Sequence, residues 1–199
     1  MSDVLVFNKW STKDIKIEDE GLVRYVNLQS PIVPKTGGKH IGSRFKKSRV
    51  FIVERFINKL MIPGHKSKKH TKSSGSLTGK GNTSYQMMED VLTIIEKKLG
   101  KNPLEVFVTA VVNAAPREEI ITIEYGGARY PKAVECAPQR RVDIALRLMS
   151  QGAYQKSFNS KKSAVAAISE EIMNAYQSSP QSAAIAKKHE VERQADASR

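Results

Sequence analysis

TSYQMMEDVLTIIEKKLGKNPLEVFVTAVVNAAP, residues 83–116, decides the fold. Tyr85, Met88, Val91, Leu92, Ile95 and Leu99 recur at three- and four-residue steps, the spacing that lines up side chains on one face of an α-helix. Thr83 or Ser84 is expected to cap its start, and Gly100 suits the position just beyond its end. A second helix follows at once, with Asn102 as N-cap, Pro103 as first helical residue and Glu105 reaching back to the cap. Leu104, Phe107, Val108, Val111, Val112 and Ala115 line its apolar face, and Pro116 stops it.

C-terminal to this pair the periodicity changes. Ile121, Ile123 and Tyr125 alternate with Thr122 and Glu124, Gly126-Gly127 offers a tight turn, and Ala128 to Cys136 returns. One hairpin at about 119–136 stands alone among helices. A two-stranded ribbon is marginal by itself, so it lies on the helices or projects as an arm. Helices resume at Pro138 with core positions Val142, Ala145, Leu146 and Met149 and with Gly152 expected past the end. Another starts at about Ser160, carries Val165, Ile168, Ile172, Met173 and Tyr176, and is broken by Ser178-Ser-Pro180. The charged segment from Gln181 to Arg199 is helical in propensity and expected on the surface or against a partner. The predicted class is mainly α: a bundle of about six helices with one protruding β-hairpin and an irregular N-terminal extension.

N-terminal to the pair lies the charge. The 199 residues carry a formal +13. Residues 35–80 hold thirteen Lys and Arg against one carboxylate, Glu54, so 13 − 1 = +12 of that total sits in one stretch. Such one-sided charge selects a polyanionic partner, because each phosphate neutralised releases a condensed counterion. The alternatives are a solubilising segment and an anionic membrane surface. A membrane needs an amphipathic anchor or a long apolar run, and neither is evident. Within the stretch, Val53, Phe56, Ile57, Leu60 and Met61 recur at helical spacing. A core-docked helix therefore separates two basic loops, one around Lys35, Lys39, Arg44, Lys46, Lys47 and Arg49, the other carrying Lys66, Lys68, Lys69, Lys72 and Lys80. Residues 1–47 are expected to form an extension with a basic loop, packed on the surface of a helical RNA-binding domain, 48–199. Arg117, Arg140 and Arg141 flank the base of the hairpin as a third contact; pairing with Glu118, Glu119 and Asp143 is the competing account of them.

Catalytic chemistry is not evident, and no cofactor is expected. His65 and His70 lie five apart among lysines, without the Cys, His or carboxylate cluster that a zinc site needs. Gly75-Ser-Leu-Thr-Gly-Lys-Gly81 has the wrong glycine spacing for a phosphate loop, lacks its Ser or Thr, and follows no strand. Cys136, the only cysteine, has no base tied to it by motif; a lone cysteine also fits a reducing cytosol. Met1-Ser2-Asp3-Val4 does not begin a secretory signal. The helix pair around Gly100 leaves open a DNA-binding helix-turn-helix, although its second helix offers only Thr109 and Asn113 as base readers.

Several segments carry a resemblance. Glu54-Arg-Phe-Ile-Asn-Lys-Leu-Met61, Asn102-Pro-Leu-Glu105, Asn113-Ala-Ala-Pro-Arg-Glu118, Ala137-Pro-Gln-Arg-Arg-Val142 and Ala186-Lys-Lys-His-Glu-Val-Glu-Arg193 resemble, in order and spacing, the small-subunit ribosomal protein seven family. Asn8-Lys-Trp-Ser-Thr12 and Ser43-Arg-Phe-Lys-Lys47 are similar to its archaeal and eukaryotic branch. The resemblance implies a non-enzymatic, primary binder of the 3′ major domain of small-subunit ribosomal RNA, acting in the cytoplasm to organise assembly of the subunit head. It implies neighbours among the head and platform proteins. It also implies that Tyr125, Gly126, Gly127, Arg129 and Tyr130 on the hairpin lie near the exit-site transfer RNA and the messenger path.

Overall fold

The computed structural model describes residues 4–40, 42–63 and 80–199. Its described elements run α1 (Glu20–Val23), α2 (Ile52–Leu60), α3 (Gly81–Leu99), α4 (Pro103–Ala114), β1 (Glu118–Tyr125), β2 (Ala128–Glu135), α5 (Pro138–Ser157), α6 (Ala164–Tyr176) and α7 (Ala183–Asp196). This is the mainly helical bundle with one antiparallel hairpin that the periodicity predicts.

α4 is the axis of the bundle. Leu104, Val106, Phe107, Val108, Ala110 and Val111 are buried, leaving only the narrow face of Glu105, Thr109, Val112 and Asn113 exposed or half-buried. It packs on α6, α5 and α3. Phe107 meets Phe56 of α2 with ring centroids 5.2 Å apart. Each such side chain contributes roughly 1.5–3 kcal/mol on burial. Burial of most of α4 weighs against the helix-turn-helix alternative. Asn113 donates inward, to the carbonyls of Ala175 and Tyr176, so one of the helix's two candidate base readers is already engaged and the other, Thr109, is half-buried.

Four local expectations change. Gly152 lies inside α5, not past its end. A Cβ there would come within 2.6 Å of the Ala183 Cβ, so the glycine is what lets α5 and the start of α7 touch. α3 starts at Gly81 with Lys80 at the cap position, ahead of Thr83 and Ser84; Ser84 is buried instead. α6 starts after Ser163, whose hydroxyl accepts from the Ala166 N–H. The leader is woven into the core rather than lying on it, since Val6, Trp10, Leu22 and Val26 belong to the same buried cluster as the helices. Asn102 fastens it there: its side-chain oxygen caps α4 at Leu104 while its amide donates to the Ser11 carbonyl.

α7 is held by a buried charge. Glu171 of α6 is fully buried. One of its oxygens accepts from Ser182 Oγ at 2.7 Å and from the Ala184 N–H at 3.1 Å, and the other from Lys156 Nζ at 2.8 Å. α5, α6 and α7 are thus tied at one point.

Candidate nucleic-acid interface

The basic residues before α2 are fixed by backbone ties. Gln139 Nε2 donates to the Arg44 carbonyl at 2.8 Å, and Asn27 Nδ2 donates to the Arg49 carbonyl at 2.5 Å. Between these ties, Lys46–Arg49 form one 3-10 turn. The turn, α2 and α5 enclose a cleft of about 940 Å³. Arg44, Lys47, Arg55, Lys59, Arg140 and Arg147 line it, with Asp143 the one carboxylate among its described lining residues.

Not all of these cations are available. Arg55 is buried, donating to the Tyr25 carbonyl at 2.8 Å and to Asp143 at 3.0 Å. Lys47 pairs with the other oxygen of Asp143. Arg140 grips both oxygens of Glu119, at 2.5 and 2.7 Å. Arg141 donates to the Pro116 carbonyl at 3.1 Å and to Asp19 at 2.7 Å. The ion pairing weighed for the two arginines therefore occurs, although Arg141 finds Asp19 of the leader and not the nearer acids. Lys35 is engaged with Asn82. Lys39, Arg44, Lys46, Arg49 and Lys80 make no side-chain hydrogen bond or ion pair among the described residues, nor does the Arg117 guanidinium. The Arg117 N–H is held by Glu192 of α7. Lys66, Lys68, Lys69 and Lys72, like His65 and His70, lie outside the described residues.

Two cations of the cleft escape a loop-based reading. Lys59 sits on the exposed side of α2. Arg147 sits on α5 seven residues after Arg140, hence on the same helix face. That i, i+7 spacing is the signal in the sequence that identifies it.

The hairpin presents two unlike faces. Its register pairs Ile121 with Lys132, Ile123 with Tyr130 and Tyr125 with Ala128. Directly opposed residues share a face, so the exposed Ile121, Ile123, Tyr125 and Tyr130 stand together. The opposite face carries Glu118, Glu124, Arg129 and Glu135 by the same register. Gly126 and Gly127 both have positive φ, 58° and 81°. Two left-handed residues in succession make the two-residue turn whose twist matches the strands.

Around the hairpin base the titratable groups are settled. The Arg140 guanidinium holds Glu119 below the usual carboxylate range. Burial, reinforced by Glu119, pushes the Cys136 thiol up to about 11. It is a buried, protonated side chain at neutral pH and not a nucleophile. Burial opposes ionisation of Asp19, but the hydrogen bond and charge of Arg141 prevail and hold it low. Burial lowers Lys188, which donates to the Asn113 carbonyl. Among the described residues no group of three His, Cys, Asp or Glu could hold a metal, and no helix is long and apolar enough to cross a membrane.

A positive cleft and a projecting ribbon on a helical bundle agree with what the chain is similar to. The family described as ribosomal protein S7p/S5e matches residues 22–199. Among curated relatives, small ribosomal subunit protein uS7 of Nanoarchaeum equitans is 48% identical over 98% of both chains. The protein of the same name from Archaeoglobus fulgidus is 42% identical over 99% of this chain and 96% of its own. That from Methanosphaera stadtmanae is 44% identical over 94% and 95%. Matched along nearly its whole length to structural, non-catalytic proteins, the chain belongs to the ribosomal protein S7p/S5e family.

Proposed function

We infer that the chain is a structural constituent of the small ribosomal subunit that binds its RNA directly, through the cleft between α2 and α5 and the basic residues on either side of α2. The observation that carries this is the excess of cations over acids in the cleft, together with the concentration of the chain's net charge in residues 35–80 against near balance outside them. Phosphates are the ligand that such an excess selects. The RNA-facing set is Lys35, Lys39, Arg44, Lys46, Lys47, Arg49, Lys66, Lys68, Lys69, Lys72, Lys80, Arg117, Arg140 and Arg141. Membership of the family supports the finer reading: primary binding to the 3′ major domain, organisation of the subunit head, and action in the cytoplasm beside head and platform proteins. The hairpin residues Tyr125, Gly126, Gly127, Arg129 and Tyr130 then lie toward the exit-site transfer RNA and the messenger path. Exposure of both tyrosines on one face of a ribbon supports that role, since unstacked bases pack on aromatic rings.

The test is filter binding to a transcript of the 3′ major domain across a salt series. Replacing Lys46, Lys68 and Lys69 by Glu should weaken binding and flatten the slope of log affinity against log salt by about 0.9 for each phosphate no longer neutralised. Unchanged affinity and slope would show that these cations do not meet RNA. Tighter binding to duplex DNA than to the transcript would overturn the RNA reading itself.

A further inference from the structure

A second cleft, of about 710 Å³, opens on a different side of α2, between the Lys35–His40 turn and the first turn of α3. Its ends have opposite chemistry. At one end Gly81, Asn82 and Thr83 begin α3, and Lys80 at the cap position makes no side-chain cap bond. Uncapped N–H groups at the start of a 19-residue helix attract an anion. Lys35 stands beside them, its Nζ 2.5 Å from Asn82 Oδ1.

At the other end is Glu54, the only carboxylate among residues 35–80. It is 4% exposed. Its Oε1 accepts the N–H and the hydroxyl of Thr36, both at 2.8 Å. Its Oε2 is enclosed and has no hydrogen-bond partner among the described residues. A carboxylate oxygen only accepts, so a buried one is satisfied by a donor brought to it. Ile57, Met61 and Tyr85 supply apolar wall between the two ends. The neighbouring turn is built on Gly37 and Gly38, both at positive φ, and an added Cβ at Gly37 would meet nothing within 4 Å, so no described side chain packs over the turn at that point.

An anion site and a donor-seeking carboxylate across an apolar slot form the complement of a nucleotide. Guanine fits best. Its Watson–Crick edge presents two adjacent donors, N1–H and the 2-amino group, that can converge on Oε2, whereas on the other bases each Watson–Crick donor is flanked only by acceptors, which a carboxylate repels. We propose that this cleft receives one unstacked guanine nucleotide, its phosphate on the first turn of α3 and its donor edge on Glu54. The proposal deepens the RNA-binding reading and rests on it.

The probes are 5′-GMP, 5′-IMP (which lacks the 2-amino group) and 5′-UMP, titrated into the full ¹⁵N-labelled chain. GMP should shift the amides of Gly37, Gly38, Gly81, Asn82 and Tyr85 and bind about tenfold more tightly than UMP, with IMP between. Glu54→Gln should erase the ranking and keep the phosphate-dependent shifts at Gly81 and Asn82. Lys80→Glu, which leaves Glu54 intact, should weaken all three nucleotides alike. Equal binding of GMP and UMP to the unaltered chain, or shifts confined to other residues, overturns the proposal. If that happens while the 3′ major domain transcript still binds, the guanine site falls and the RNA-binding reading stands. If the transcript also fails to bind, the RNA-binding reading falls with it.

Discussion

The two sides of α5 use charge in opposite ways. Toward α6 and α7, Lys156 meets Glu171, which also accepts from Ser182 and Ala184, so the buried carboxylate is fully matched. Toward α2, Arg140, Asp143 and Arg147 face Arg44, Lys47 and Lys59 across an open cleft in which cations exceed acids. One helix thus carries a balanced interior surface and an unbalanced exterior one. A matched buried charge serves the fold, because removing either member strands the other in a poor solvent. An unmatched set at the surface leaves its field directed outward, where a polyanion can answer it.

This contrast can be broken in a graded way. Glu171→Ala should have the largest effect, about 3 kcal/mol of stability, measured as a shift in the urea midpoint, with RNA affinity of the folded protein unchanged. Gly152→Val follows, at about 1–3 kcal/mol from forcing α5 and α7 apart, again without a direct effect on RNA. Lys59→Glu with Arg147→Glu should do the reverse, leaving the thermal midpoint in place while lowering affinity for the 3′ major domain transcript roughly tenfold at low salt, with a salt slope shallower by about 2. If those two reversals destabilise the chain and spare binding, the division of α5 is wrong. The smallest effect is in acid. Glu119 and Asp19 titrate below their ordinary range in the fold. Their stabilisation is complete above the unfolded carboxylate range near pH 4 and is lost as pH falls through the depressed values. Arg140→Ala should remove the Glu119 share, under about 1 kcal/mol for so exposed a partner, visible as a shallower decline of stability between about pH 5 and 2.

Legibility in the sequence followed the range of the interactions. The stripes of α3 and α4, the Asn102-Pro103 start and the Gly126-Gly127 turn are set by residues within four positions of one another, and the structure forms each where the spacing predicts. Gly152 misleads because its reason is Ala183, 31 residues later. A glycine in a helical stretch signals a stop by propensity, and only tertiary contact reveals a close approach. Trp10 and Leu22 look like part of a loose leader because nothing local tells that α3, α4 and α5 leave a place for them. The same limit governs the site. Composition locates the basic stretch, and helical spacing contains Arg147. That Arg55 is structural follows from Tyr25 and Asp143, 30 residues before it and 88 after it.

The pairing of Asp19 with Arg141 spans 122 residues of chain, and that distance is also an interval of time. At a synthesis rate of about 5–20 residues per second, the leader leaves the ribosome roughly 6–24 seconds before its partner arginine has been made. The contacts of α1 with α5 are missing for that interval, so the leader cannot be locked in place as it emerges. The nascent chain instead carries its basic stretch into an RNA-filled cell ahead of the helices that will frame it. A pulse-labelled chain halted before α5 should therefore be cleaved in the leader by a protease that spares the finished protein.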